Sequence, residues 1–434
     1  MRRSVVTIED CGGPLRRLWR RPALASVLDQ SVVSGFGFLT GILAARAVGI
    51  EEFGLFVLIL IVTAFAQGLH NALVTAPMMT LAGSGTRAAP TYDASVLAGA
   101  AVLSLVAASG VALALVAIFA LRHEDAQTSV VLGGAALAFA QNLQFTIRRM
   151  LFARGRGLTA LAMDTARATS FPLVLAAAWL FGLPLSAASV AWLLAGTALA
   201  ATAPLAWPVW RARRRSLRLR PVARRHWTIA RWLFPVVFVT FGQEQVAWIL
   251  AGIVLGDEAI GGLRAAQYLV GLVLLLLTAT ENVIPTAAAR ARETGGEVAL
   301  RAYLRRATLA TAPILGLLLL AIALPADIWL RLVFGEPFAA YAPGVQILAV
   351  GVVFIFLRDM ATQYFRAMQD TNIVFRAFVV SLLVSLAIMY PLVARYGVTG
   401  TALVIAIGHG TSAAFLLFAA MRRVTIGEKP IPRP

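Results

Sequence analysis

The feature that most limits what this chain can fold into is a succession of long apolar runs, separated by short connections that carry most of the charge. Of its 434 residues, 60% are hydrophobic and only 13% are charged. A soluble domain carries about 25% charged residues. A run of about 20 apolar residues allows a helix to cross the hydrocarbon core of a bilayer. The sequence therefore predicts an all-α integral membrane protein.

Twelve apolar runs are long enough to be transmembrane helices. The first run is too long for a signal peptide, so we interpret it as a retained helix. The predicted spans are 23–48, 53–81, 94–121, 129–151, 158–181, 186–208, 232–255, 259–285, 308–330, 338–358, 373–394 and 398–421.

The charged residues orient these spans. The net charge of +18 is almost entirely arginine, because Lys429 is the only lysine. Arginine clusters precede span 1 and follow spans 4, 6, 8 and 12, whereas the alternate connections are acidic or nearly neutral. Cytoplasmic connections of membrane proteins carry an excess of Lys and Arg. We therefore expect both termini in the cytoplasm, and no nucleic-acid partner despite the basic charge.

The strongest basic run covers residues 211–231, RARRRSLRLRPVARRHWTIAR. In one interpretation it determines topology and lies on anionic lipid headgroups, which attract arginine. In the other it is a site for a substrate or a partner. The run also divides the chain, so the predicted domains are a basic N-terminus (1–22), a six-helix lobe (23–208), a basic linker (209–231), a second six-helix lobe (232–421) and a tail (422–434).

An internal repeat supports this division. ILAARAVGIEEFG at 42–54 is echoed by ILAGIVLGDEAIG at 249–261, with six of thirteen positions identical. Six spans per lobe is an even number, so the lobes share one orientation in the membrane, as in transporters built from parallel repeats. The identical positions are Ile42/Ile249, Leu43/Leu250, Ala44/Ala251, Gly49/Gly256, Glu51/Glu258 and Gly54/Gly261.

The polar break within 42–60 is predicted to be a turn between spans 1 and 2. Gly49 is able to take the left-handed conformation that ends a helix. Glu51 and Glu52 then fall in the first turn of the next helix, where negative charge complements the helix dipole. Gly54 is expected to let the two helices of this hairpin approach closely.

The same stretch also carries a family resemblance. Residues 37–60 read GFLTGILAARAVGIEEFGLFVLIL, and they contain in sequence an Ala45-Arg46 pair, Gly49, Glu51-Glu52 and Phe53-Gly54. In this order the stretch resembles the first helix pair of the Wzx-type polysaccharide and O-antigen flippases. These belong to the multidrug/oligosaccharidyl-lipid/polysaccharide exporter (MOP) superfamily. The twelve-span layout extends the resemblance over most of the chain.

The resemblance implies that an undecaprenyl-pyrophosphate-linked oligosaccharide is flipped across the bacterial inner membrane by alternating access, for polysaccharide export. It implies this lipid-linked oligosaccharide, membrane lipids, a glycan polymerase and glycosyltransferases as partners, H⁺ or Na⁺ as coupling ion, and no cofactor or metal. The alternative is a cation-coupled multidrug antiporter of the same superfamily. A polysaccharide polymerase or ligase needs a long outer loop, and the longest outer connection here, about residues 331–337, is too short. We therefore do not expect an enzyme.

Polar residues inside the spans are the candidate site residues, because an ionisable side chain at bilayer depth costs about 2.5 kcal/mol or more and normally faces a cavity or a partner. Arginine forms bidentate contacts with phosphate oxygens, and amides hydrogen-bond to sugars. The ion-coupling candidates are Asp29, Glu244 and Glu281. The substrate-binding candidates are Arg264, Arg167, Glu244, Gln243, Gln245, Gln67, Asn71, Gln267 and Asn142.

Other polar residues have a plainer interpretation or two open ones. Asp164 and Arg167, three apart on one helix, are expected to form an ion pair. Trp248 is either a platform for a sugar ring or part of the interfacial aromatic belt, and Arg46 is a further candidate for the pyrophosphate. Three arginines are expected to snorkel towards the membrane surface, namely Arg148, Arg149 and Arg358.

Overall fold

The computed structural model describes residues 22–83, 90–211 and 217–426, which are helical almost throughout. The first half follows the apolar runs closely. Gly49, with φ of +81°, separates the first two helices as its turn chemistry predicts. These elements are α1 (Pro22–Val48), α2 (Ile50–His70), a π-helical turn (Asn71–Thr75), α3 (Ala76–Gly83), α4 (Pro90–Leu121), α5 (Thr128–Ala153), α6 (Gly157–Leu180) and α7 (Ala187–Arg211).

The second half contains longer helices, two of which break at glycines. The break in α9 lies at Gly295 and Gly296, and the break in α12 lies at Gly397, where φ is +57°. Each of these two helices therefore consists of two helical segments. The elements are α8 (Leu219–Leu255), α9 (Asp257–Ala323), α10 (Ala326–Val333), a 3₁₀ turn (Glu336–Tyr341), α11 (Ala342–Ala367) and α12 (Thr371–Ile426).

By length and apolar composition, eight helices in the described ranges are able to cross a bilayer, or nine if the bent pair Leu219–Gly242 and Gln245–Leu255 is one span. This number counts Thr371–Arg423 once, although it has 53 residues. A helix of that length would measure about 80 Å, more than twice the thickness of a hydrocarbon core. The chain is therefore a multi-span membrane protein, while twelve spans and cytoplasmic termini stay predictions.

Apolar side chains on the surface agree with a lipid environment. Leu113 is 71% exposed, Leu317 is 70% exposed and Phe181 is 81% exposed. Extended exposure of this kind is unfavourable in water. In hydrocarbon the same side chains are in a matching solvent, so the exposed leucines mark faces that contact lipid.

The described residues fall into two compact units. The first unit comprises residues within 1–43, 62–116 and 126–234. Its core joins the π-helical turn, α3, α4, α5 and α6 through Val74, Met78, Leu97, Ile147 and Met163, each of which is buried.

The second unit comprises residues 44–61, 117–125 and those from 235 onwards. The turn between α1 and α2 and the end of α4 thus pack with elements of the second half. Phe53 anchors this packing, since its ring lies 6.1 Å from that of Phe338 in an edge-on arrangement and 6.5 Å from that of Tyr268. The five predicted domains, which place 44–61 and 117–125 in the first lobe, stay a prediction.

Candidate functional site

The first unit contains a group of buried charges, here called the charge cluster, formed by Asp29, Gln144, Arg148, Asp164 and Arg167. Arg148 lies between two carboxylates, donating from Nε to Asp164 Oδ2 at 2.7 Å and from Nη2 to Asp29 Oδ2. The Asp29 side chain is fully buried, and those of Asp164 and Arg148 are 4% and 13% exposed. The expectation that Arg148 snorkels to the membrane surface is therefore wrong, because it is an internal counter-ion.

Gln144 connects this ion pair to a second arginine. Its Nε2 donates to Asp164 Oδ1 at 2.9 Å, and its Oε1 accepts a hydrogen bond from Arg167 Nη1. Asp164 pairs with Arg148 and not with Arg167, so the expected ion pair within one helix is wrong. The amide of Gln144 lies between the two side chains and bridges them, because it donates to Asp164 and accepts from Arg167.

Arginines outnumber carboxylates around the charge cluster. Arg167 packs over the ring of Phe36 with 5.1 Å to the centroid, and Arg149 packs over Phe145 at 5.0 Å. With Arg148, these three arginines face only two aspartates, which leaves this part of the first unit with one excess positive charge. Arg149 Nε and Arg167 Nε are buried and have no hydrogen-bond partner among the described residues.

The predicted amides of the first unit lie on α2, the π-helical turn and α5. Asn142 is fully buried, and neither atom of its amide has a partner in the described part of the chain. Asn71 begins the π-helical turn and accepts a hydrogen bond from Thr75 Oγ1 at 2.5 Å. Gln67 is half-buried one turn earlier. Short π-helical turns are frequent at functional sites, and this one places two of the predicted amides on neighbouring turns.

In the second unit, Arg264 on α9 lies against aromatic rings. Its guanidinium carbon is 5.6 Å from the ring centre of Trp248 and 5.5 Å from that of Tyr268. Its Nη1 donates to Gln267 Oε1 at 2.6 Å. Trp248 is fully buried, so it is neither a belt residue nor an accessible platform for sugar. Among the described side chains no carboxylate pairs with Arg264.

The side chains of Gln243, Glu244 and Glu281 lie outside the described part of the molecule, although their backbones belong to α8 and α9. Gln245 is half-buried on α8. The role expected for these residues therefore stays a prediction.

Arg358 also has internal partners. It donates to Asp359 Oδ1 from Nε at 3.0 Å and from Nη2 at 2.9 Å. A third contact joins Arg358 Nη1 to His409 Nδ1 at 3.3 Å. Since Arg358 is held by α11 and α12 side chains, snorkelling does not describe it.

The two repeat segments pack on each other inside the second unit, in a contact here called the glycine seam. A Cβ placed on Gly54 would lie 1.8 Å from the Asp257 carbonyl oxygen, and one on Gly261 would lie 2.3 Å from the Ile50 carbonyl oxygen. At the repeat offset, Gly54 corresponds to Gly261 and Ile50 to Asp257. The contact is therefore reciprocal, as across a two-fold axis. Gly54 makes its close approach to the other repeat, not to its own hairpin as expected.

Two arginines support the glycine seam. Arg122 forms a bidentate pair with Asp257, with Nη2 to Oδ1 at 2.8 Å and Nη1 to Oδ2 at 3.0 Å. Arg46 donates from Nε to the Val333 carbonyl at 2.7 Å and from Nη2 to the Leu332 carbonyl. These carbonyls end α10, so Arg46 caps a helix. It is not free to hold a pyrophosphate in this conformation.

Sequence reasoning missed Gln144 as a bridge, Arg148 as a counter-ion and Arg122 as half of an ion pair. Their partners are distant in the chain, since Arg148 is 119 positions from Asp29 and Arg122 is 135 positions from Asp257. The available signal was the rarity of aspartate within the spans, since a buried carboxylate requires a cation.

No protein-family model matches this sequence, and no curated protein matches it either. Solved structures do match over nearly the whole chain. An inward-facing multidrug resistance MATE family transporter of the MOP superfamily superposes with a TM-score of 0.69 at 14% identity, covering 91% of this chain and 96% of that one.

Two further matches come from the same superfamily. The lipid II flippase MurJ, in an inward closed conformation, gives a TM-score of 0.66 at 13% identity, covering 92% of this chain and 87% of that one. A MOP superfamily transporter from Pyrococcus furiosus gives 0.58 at 15% identity, covering 96% and 98%. That transporter is described as having a binding pocket of reverse polarity. At these identities the matches show the fold, so this chain has the fold of MOP superfamily transporters.

Proposed function

We propose that this protein flips a lipid-linked oligosaccharide with a pyrophosphate headgroup, the undecaprenyl-linked type, across the bacterial inner membrane. The observation that carries the proposal is the excess of arginine over described carboxylates near the candidate residues. Arg264 is bonded to an amide and packed on two rings, and Arg167 is bonded to an amide and packed on one. Guanidinium groups held in this way have donors for phosphate oxygens.

The neighbouring amides suit the sugar part of such a substrate. Asn142 has a buried amide with unused donors and acceptor in the described part of the chain, and Gln267 adjoins Arg264. Buried polar groups are normally hydrogen-bonded, and an unpaired one costs about 1–3 kcal/mol. A sugar hydroxyl that reached Asn142 would satisfy that amide, which favours a polar ligand.

In this proposal transport proceeds by alternating access, with the prenyl tail in lipid. The glycine seam and the Arg122–Asp257 pair are contacts that must separate for release on the outer side. An inside-negative membrane potential favours outward movement of a negative headgroup by about 2.3 kcal/mol per charge per 100 mV for a full crossing.

The charge cluster is the proposed ion-coupling site. Asp29 and Asp164 share Arg148 as their counter-ion, so the two buried carboxylates lie on either side of one guanidinium group. One arginine offsets only one of the two negative charges, so binding of H⁺ or Na⁺ would compensate the second. Asp29 was expected from the sequence, and Asp164 joins it through the tertiary structure.

The alternative, a cation-coupled multidrug antiporter, is supported by the fold shared with the MATE transporter and by the same buried aspartates. An antiporter for cationic drugs would favour an acidic cavity without free arginines. The Pyrococcus furiosus transporter, for which reverse pocket polarity suggests a different function, supports the use of charge to separate these functions.

The test is flipping of an undecaprenyl-pyrophosphate-linked oligosaccharide in proteoliposomes. We expect Arg264→Ala to lower the flipping rate by about tenfold or more, the equivalent of one charge-assisted hydrogen bond. Arg264→Lys should restore part of the rate. Arg306→Ala, an exposed arginine of the second unit, is the matched control and should flip at the wild-type rate.

A cationic dye and an ion gradient, applied to the same vesicles, separate the two functions. Dye extrusion by the wild type with no flipping of the oligosaccharide would establish the antiporter and refute the flippase. Flipping by Arg264→Ala at the control rate would instead refute the role proposed for Arg264. For the ion site, Asp29→Asn should abolish dependence of flipping on the gradient, and unchanged dependence would remove that role.

A further inference from the structure

Helix α8 is too long to lie entirely within the hydrocarbon core of a membrane. The helix Leu219–Leu255 has 37 residues, which correspond to about 55 Å. A hydrocarbon core is about 30 Å thick. Its two parts, Leu219–Gly242 and Gln245–Leu255, meet at a bend of 46°, and even so the helix exceeds the thickness of the core. Its basic end, from Leu219 to Trp232, is the part that suits the interfacial region or water.

One face of this segment is fastened to the first unit. His226 is 6% exposed and Ala230 is 1% exposed. The Nε2 atom of His226 lies 3.0 Å from the Tyr92 hydroxyl, and the backbone N–H of Arg218, just before the helix, donates to Ser95 Oγ at 2.9 Å. The buried face therefore fixes the rotation of the helix about its axis.

A separate, exposed face of the helix carries arginine and tryptophan. Arg220, Arg224, Trp227 and Arg231 follow one another at spacings of four, three and four residues, so they lie within about 60° on one side of the helix. All four side chains are exposed. Arg231 also stacks over Trp232, with 5.2 Å from its guanidinium carbon to the ring centroid. No aspartate or glutamate occurs between residues 217 and 243, so the segment has no acid of its own to neutralise this face.

We propose that this face, the arginine–tryptophan face of Arg220, Arg224, Trp227 and Arg231, is a docking surface for anionic phospholipid headgroups. Guanidinium groups bind phosphate oxygens in bidentate geometry. Tryptophan is enriched at the level of the headgroups, and a helix with one basic face and exposed tryptophan is typical of segments that lie in the interface. Charge, spacing and the fixed rotation all favour the headgroup plane as the occupant.

This docking surface does not depend on the proposed substrate. The surface lies on the outside of the first unit, whereas the substrate candidates of that unit are buried or half-buried on other helices. Because the segment continues into the apolar part of α8, headgroup binding would set the height of that helix in the membrane.

The experiment compares spin-labelled phosphatidylglycerol with spin-labelled phosphatidylcholine at the boundary of the full chain, reconstituted in phosphatidylcholine vesicles. We expect the triple variant R220Q/R224Q/R231Q to lower the preference for phosphatidylglycerol by about threefold or more, since each arginine near an anionic surface contributes to binding. The matched control is R290Q/R305Q/R306Q, which removes three exposed arginines of the second unit.

The triple lysine variant R220K/R224K/R231K keeps the charge and is expected to keep most of the preference. The proposal is overturned if the triple glutamine variant retains the wild-type lipid preference while circular dichroism shows it to be folded. It is equally overturned if the control triple loses as much preference, because the effect would then reflect net charge. If the triple glutamine variant does not fold, the double variant R224Q/W227A takes its place. The same two results, a retained lipid preference or an equal loss in the control, would overturn the proposal.

Discussion

The charge cluster of the first unit and the glycine seam of the second unit use the same residue type in different ways. In the charge cluster, Arg148 is enclosed by two buried carboxylates. At the glycine seam, Arg46 is exposed and donates to backbone carbonyls. The helices at the seam meet by backbone contact through Gly54 and Gly261, with the Arg122–Asp257 pair beside that contact, whereas those of the charge cluster meet through side-chain charges alone.

This difference indicates whether each region responds to the binding of an ion or to a movement of its helices. A buried charge network changes its energy when an ion or proton binds, because its members are shielded from water. The backbone contact of Gly54 and Gly261 itself has no titratable atoms, and it changes only when the helices move apart. The charge cluster therefore suits the binding of an ion, and the glycine seam suits a contact that is closed or open.

The largest effect is expected from the charge cluster. Arg148→Ala removes the shared counter-ion of Asp29 and Asp164, so two buried carboxylates lose compensation. We expect the free energy of unfolding to fall by about 3–5 kcal/mol, the usual cost of breaking a buried pair. Chemical denaturation in detergent measures this, with the exposed Arg156→Ala as control. Equal stability of the two variants would mean that water compensates the charges of the charge cluster. The charge cluster would then not differ from the glycine seam in the way described.

A smaller effect is expected at the glycine seam. Gly54→Ala and Gly261→Ala each force a Cβ into a backbone carbonyl, and overpacking of this kind costs about 1–3 kcal/mol. The reciprocal contact predicts similar losses for both variants and a double variant that loses less than their sum, because one contact opens for both. Gly271→Ala has open space at its Cβ and serves as the control. Unequal or fully additive losses would argue against a shared two-fold contact.

The smallest effect is expected for the helix cap. Arg46→Ala removes a cation from the carbonyl end of α10 at an exposed position, which is worth about 0.3–1 kcal/mol. Arg306→Ala is the control, because Arg306 is exposed and belongs to α9, not to the helix that Arg46 caps. If Arg46→Ala lowered the free energy of unfolding as much as Arg148→Ala, Arg46 would be essential to the glycine seam. The two regions would then depend on arginine to the same extent.

Much of the helix layout could be predicted from sequence, for local reasons. The turn at Gly49 has the expected positive φ, and its repeat partner Gly256 has the same conformation, with φ of +86°. Glu51 and Glu52 lie in the first turn of α2 as expected. The span predicted at 308–330 ends earlier, because α9 stops at Ala323 and the short helix α10 begins at Ala326.

The candidate site was harder to predict, because it depends on which side chains meet. Asp29, Arg167 and Arg264 were chosen for their polarity within apolar runs, and the structure gives each a polar or aromatic partner. Their importance to transport stays a prediction. Gln144, Arg148 and Arg122 acquired their roles only through contacts with distant residues.

The sequence by itself determined that this chain lies in a membrane as a series of helices, and where several of them begin and end. Hydropathy and the conformational freedom of glycine depend on a few neighbouring residues, so the helices and their ends can be predicted without a structure. Only the tertiary structure decided which groups the arginines bind and that Gly54 packs against Asp257 of the other repeat. Arginines in such a sequence differ little until packing sets their burial, and burial decides whether a charge binds a carboxylate, a carbonyl or a lipid.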